Sequence, residues 1–154
     1  MTALELVDVT LELGGRAVLS GVDLAIGPRE FVGVFGANGA GKTTLMRGIL
    51  GLVPAARGSI RVLGRPAARG NAAVGYMPQV RSPLAGGRLS GWDFVAGVVD
   101  GHRLGLPILR AQGRREVEWA LEMVGARELA RRPLSEISGG ERQRLLLAQA
   151  LIGR

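Results

Sequence analysis

The chain has 154 residues, 47% of them apolar, with no cysteine and a formal net charge of +7. That length suits one domain with a single core, and the apolar share excludes wholesale disorder. The lack of cysteine excludes disulfides and thiolate metal sites, as in a reducing compartment; the scattered arginines read as a solvated basic surface, open to an anionic partner.

The opening residues, MTALELVDVT, lack the basic-then-apolar order of a secretory signal. No apolar run approaches the roughly 18 residues of a membrane span, so a soluble cytoplasmic chain is expected. Residues 4–13, LELVDVTLEL, alternate with one change of phase and predict a strand. Gly14-Gly15 signals a turn. Val22, Leu24 and Ile26 alternate again, and Gly27-Pro28 closes that strand. FVGVF at 31–35 is a short continuous apolar run bounded by glycines, the pattern of a strand buried on both faces of a parallel sheet. TTLMRGILGL follows a glycine-rich loop with helical spacing and ends near Gly51 and Pro54. SIRVLG at 59–64 and AAVGYM at 72–77 read as two further strands. Residues 81–91 read as a Gly, Pro and Ser-rich loop. Beyond it the pattern is helical: WDFVAGVV, then GRREVEWALEMVG with Val117, Leu121 and Val124 on one face, then a helix from near Ser138 through LLLAQALI. The order is strands first and helices second, with a boundary near Gln79.

Residues 36–43, GANGAGKT, fit G-x-x-x-x-G-K-[ST] without a mismatch. Glycines 36, 39 and 41 let backbone N–H groups turn inward as an anion-holding nest. The helix that follows adds its free N-terminal N–H groups and the positive end of its dipole. Lys42 reaches the β- and γ-phosphates, and the Thr43 hydroxyl can ligate Mg²⁺. The expected nucleotide contacts are Gly36, Ala37, Asn38, Gly39, Ala40, Gly41, Lys42, Thr43 and Thr44. Of the twenty basic residues Lys42 is the single lysine. A compact ammonium suits a tight loop in a way that arginine's planar fork does not.

Residues 138–144, SGGERQR, open the last helix. Ser138 can cap it while Gly139 and Gly140 expose backbone N–H groups as a second anion site. An ordinary capped helix with Glu141 in its first turn accounts for the same residues.

Together, the P-loop, Gln79 in GYMPQ and ISGGERQRLLLAQAL resemble the ATP-binding subunit of ABC transporters over essentially the whole chain, most of all importers of zinc or manganese. The resemblance implies an α/β P-loop NTPase fold of the ABC ATPase type, with an N-terminal antiparallel β subdomain, a central mostly parallel sheet and a helical subdomain. It divides the chain into a nucleotide-binding core over about 1–78 and a Q-loop, helical subdomain and signature helix over about 79–154. It implies ATP and Mg²⁺, with Lys42 and Gln79 catalytic, Thr43 and Gln79 at the metal, and Ser138, Gly139, Gly140 and Glu141 as the signature that touches ATP held by a second, head-to-tail subunit. Glu141 stands where the family usually has glutamine. Transmembrane permease subunits are the implied partners, placing the protein on the cytoplasmic face of a membrane with no insertion of its own and no direct nucleic acid contact.

Two departures qualify that resemblance. Leu13 stands where the family has an aromatic residue that stacks on adenine, which puts nucleotide selectivity in question. The Asp-Glu pair that would organise Mg²⁺ and polarise the attacking water is not among these residues, and neither is the switch histidine; His102, the sole histidine, reads as a surface residue. The fold is therefore expected to be C-terminally incomplete and the chain marginally stable or aggregation-prone, weak in nucleotide binding and poor in hydrolysis. A soluble ABC-type ATPase acting on ribosomes or DNA, or a catalytically silent nucleotide-binding module, are the competing readings.

Overall fold

The computed structural model describes residues 2–71, 73–78, 89–99 and 110–152. The chain divides into two compact units, Met1–Asn71 and Ala72–Arg154.

The first unit starts as an antiparallel hairpin of β1 (Leu4–Leu13) and β2 (Arg16–Ile26). Its two-residue turn is Gly14-Gly15, with φ of 59° and 75°. Both signs are positive, which a type I′ hairpin turn requires and which glycine adopts without strain. β3 (Ala55–Val62) pairs antiparallel with the other edge of β1, and the two-residue β4 (Arg65–Pro66) closes the order β2-β1-β3-β4.

The change of phase read in β1 has a physical cause. The register shifts between Leu6 and Val9 against β2 and between Val7 and Thr10 against β3, and Asp8, inside both, sits at φ 48°. This is a bulge: one extra residue turns the strand so that Leu6, Val9 and Leu11 all face the core. Asp8 holds the bulge from both sides. Its amide donates to Asp23 Oδ1 at 2.8 Å, and its carboxylate pairs with Arg57 at 2.8 Å.

A single helix, α1 (Lys42–Ile49), lies on this sheet. Leu45 is buried with Leu6, Val9, Leu11 and Ile60. Gly48 permits the close approach, since a Cβ there would meet Leu11 Cδ1 at 2.8 Å and Ile60 Cδ1 at 3.2 Å. Packing of this stripe, rather than intrinsic propensity, holds so short a helix.

The second unit is helical: α2 (Gly91–Ala96), α3 (Ala111–Met123) and α4 (Gly139–Ile152), with 3₁₀ turns at Arg127–Leu129 and Leu134–Glu136. Val117, Ala120 and Leu121 of α3 meet Leu145, Ala148 and Ile152 of α4 in one core with Val95, Leu129 and Leu134. The i, i+3, i+4 and i+7 spacing is what places each set on one helix face. α2 begins with a reciprocal capping box between Ser90 and Asp93.

Two expected strands are not formed. FVGVF at 31–35 and the described part of AAVGYM lie outside any strand. A strand exists only through lateral hydrogen bonds, and no strand lies beside either segment among the described residues. Phe31 and Phe35 are accordingly 101% and 93% exposed. The central parallel sheet is therefore not present among the described residues, where every strand pair is antiparallel.

Candidate functional site

The loop ahead of α1 is built by backbone conformation. Gly36, Gly39 and Gly41 have φ of 156°, 85° and 90°. A turn closed by the Ala40 amide on the Ala37 carbonyl at 3.2 Å folds the loop over the helix start. Residues Gly36 to Ala40 are exposed, and Gly41 is buried against β2. Besides its left-handed backbone, a Cβ on Gly41 would meet Leu19 Cδ2 at 2.9 Å and Val18 Cγ1 at 3.2 Å. Only glycine fits that position.

Helix α1 opens at Gly41 with no side-chain cap and no acidic residue in its first turn. Its first amide bonded within the helix is that of Leu45, to the Gly41 carbonyl at 2.8 Å. The amides of Lys42, Thr43 and Thr44 thus form the open, positive end of the helix. Lys42 Nζ donates to the carbonyls of Gly36 and Ala37, each at 2.7 Å. An ammonium carries three N–H donors, so one stays available at the loop. Thr43 is exposed, while Thr44 is buried at 6% exposure. The residues expected to contact nucleotide, 36 to 44, are therefore gathered in one exposed loop and first turn. Leu13, at the end of β1, is 41% exposed.

The start of α4 is arranged differently. Ser138 Oγ donates to Glu141 Oε2 at 2.7 Å, the Ser138 amide donates to the same oxygen at 2.8 Å, and the Glu141 amide points back at Ser138 Oγ at 3.4 Å. This is a capping box. Glu141 Oε1 accepts from Arg132 Nη1 at 2.8 Å, and Arg132 Nη2 donates to the Glu136 carbonyl at 2.6 Å. The Ser138 hydroxyl and amide, together with the Arg132 guanidinium, hold the Glu141 carboxyl below its ordinary value of 4.5. Gly139 and Gly140 are exposed, and a Cβ on either would meet nothing within 4 Å.

Gln79 and His102 lie outside the described residues. Sequence reasoning missed Arg132. It lies nine residues before Glu141, across a 3₁₀ turn, a spacing that no helix or strand period picks out; an arginine upstream of an N3 glutamate is the one signal available. Among the described residues no helix is long and apolar enough to cross a membrane.

The fold is that of ABC ATPase domains. It matches cbiO1 of Clostridium perfringens, part of the ABC transporter complex cbiONQ, at a TM-score of 0.81 and 23% identity over 99% of this chain and 62% of that one. It matches MJ1267, an ATP-binding cassette of an ABC transporter, at 0.82 and 18% identity over 99% of this chain and 66% of that one. In sequence, it is 41% identical to the zinc import ATP-binding protein ZnuC of Cereibacter sphaeroides, over 99% of this chain and 56% of that protein. It is 38% identical to the zinc transport system ATP-binding protein TroB of Treponema pallidum, over 97% of this chain and 56% of that protein. It is 35% identical to the manganese transport system ATP-binding protein MntB of Bacillus subtilis, over 98% of this chain and 60% of that protein. The chain spans little more than half the length of these relatives. Residues 19–154 match the sequence profile of the ABC transporter family, and the chain belongs to that family.

Proposed function

We propose that the chain binds ATP at residues 36–44 and forms part of an ATPase subunit that drives import of a divalent metal such as zinc or manganese. The observation that carries this reading is the uncapped start of α1 beneath an exposed glycine loop, with the ammonium of Lys42 at its mouth. A triphosphate accepts hydrogen bonds and carries several negative charges. Clustered backbone N–H groups, a helix dipole and a lysine are the donors that match it. The zinc import and manganese transport roles of the relatives support the cargo class.

The hydroxyl of the exposed Thr43 is a hard oxygen donor beside that loop, the kind of ligand Mg²⁺ takes together with phosphate oxygens. Thr43, with Gln79, would hold the ion, which when bound neutralises charge on the phosphates. Lys42 orients the phosphates and balances charge that builds during transfer. Ser138, Gly139 and Gly140 would face the γ-phosphate of ATP held by a second subunit. Permease subunits are the proposed membrane partners, on the cytoplasmic face. Leu13 offers an aliphatic rather than aromatic surface to the base, so stacking contributes less.

A fluorescent ATP analogue titrated into the chain and into Lys42→Ala tests the reading. Saturable binding, lost in the variant, is the expected result. Equal binding by both proteins would remove it. For the cargo, zinc and manganese uptake by cells carrying the intact protein or its Lys42→Ala form should differ; uptake unaffected by the substitution would exclude metal import.

A further inference from the structure

The start of α4 contains a device that the proposed function does not use. The Ser138 hydroxyl has one proton, and it is committed to Glu141 Oε2 at 2.7 Å. A phosphate oxygen only accepts hydrogen bonds, so Ser138 can engage one only by turning its proton away from Glu141. That turn leaves a carboxylate beside an arriving polyanion, and like charges at short range repel. Here the carboxylate is not alone. Its second oxygen is held by Arg132 Nη1 at 2.8 Å, and the guanidinium is itself fixed by Nη2 on the Glu136 carbonyl at 2.6 Å. The pair is half-sheltered, with the Arg132 side chain 41% and the Glu141 side chain 22% exposed.

We infer that Arg132 is a positioning residue for the signature: by holding and balancing Glu141, it frees the Ser138 hydroxyl to turn toward a phosphate on a second subunit. Glu141 keeps its bonds from Arg132 and from the Ser138 amide after the hydroxyl leaves, so the helix start stays capped while the serine works. The inference rests on the proposed role of Ser138 toward a partner's ATP. It assigns a role to Arg132 and explains how glutamate is accommodated where a neutral glutamine is usual. An Arg132 that only braced the 3₁₀ turn through the Glu136 carbonyl would not depend on the charge at position 141.

Two forms of the 154-residue chain separate these possibilities. One carries Ser138→Ala and keeps its P-loop; the other carries Lys42→Ala and keeps its signature. The readout is the affinity of the first for a fluorescent ATP analogue as the second is added. The second form should tighten nucleotide binding. Arg132→Met in that form should weaken the effect about thirtyfold, the low end of the cost of leaving one carboxylate unpaired at an interface. Arg132→Lys should restore most of it. Adding Glu141→Gln to Arg132→Met should also restore it, because the unpaired charge is then gone. If Arg132→Met behaves as the unsubstituted signature, or if Glu141→Gln fails to rescue it, the inference is overturned while the ATP reading stands. If the intact signature never tightens binding, the proposed role of Ser138 fails and this inference with it.

Discussion

Two helix starts in this chain share a plan and differ in their chemistry. α1 follows a glycine-rich loop, and α4 begins with Gly139 and Gly140 as its own first residues. α1 opens at Gly41 with no side chain across its first turn, so its donors face outward. α4 opens on a circuit of Ser138, Glu141 and Arg132 that engages the Ser138 hydroxyl and amide and the Glu141 amide. An anion arriving at α1 finds unpaired N–H groups and an ammonium. At α4 it must first displace a carboxylate's hold on a hydroxyl. Under the proposed function, α1 is the primary anion site and α4 engages a phosphate that a second subunit presents.

The largest expected effect bears on α1. Lys42→Ala removes the charge at the loop and leaves the Gly36 and Ala37 carbonyls without their donor. Triphosphate affinity should fall about a hundredfold, as losing charge-assisted bonds to phosphate predicts, while the melting of the helical unit should not change. Gly41→Ala comes next. The left-handed backbone and the contact with Leu19 should lower stability by about 1–3 kcal/mol in a denaturant titration and weaken nucleotide binding along with it. Ser138→Ala should remove the cap of α4 at about 1 kcal/mol; binding of nucleotide to the same chain's P-loop should be unaffected, and any loss there would erase the distinction between the two starts.

The smallest effect is a pH dependence confined to α4. Glu141 titrates below its ordinary value, so its folded carboxyl is the stronger acid. Its stabilising contribution is present above pH 4.5 and is lost as pH falls through the lowered folded value. The protection of the Ser138 and Glu141 amides, measured against their intrinsic exchange rates at each pH, should fall on acidification in that range, and Glu141→Gln should abolish the change. Exchange at Lys42 and Thr43, where no acidic side chain caps the turn, should carry no such step.

The sequence made α1 and its loop legible because the motif constrains backbone conformation residue by residue: three glycines with positive φ, a lysine and a hydroxyl at fixed spacing. The phase change in β1 was legible too, and its cause, a bulge at Asp8, is visible once both neighbouring strands are placed. FVGVF shows the opposite case. A run of apolar residues states that a segment suits burial, and says nothing about whether a strand lies beside it. Without that neighbour it stays unpaired, with Phe31 and Phe35 exposed. The same exposure is the physical basis for expecting self-association of this chain. The link from Arg132 to Glu141 was hidden for a related reason: it depends on how a 3₁₀ turn brings two side chains together, which no periodicity encodes.

Amide chemical shifts recorded while ATP is titrated into the chain test the central claim most directly. The account predicts large, saturable shifts at Gly39, Gly41, Lys42 and Thr43, absent in Lys42→Ala. A loop whose amides stay unmoved at saturating nucleotide, or move equally without Lys42, would contradict it.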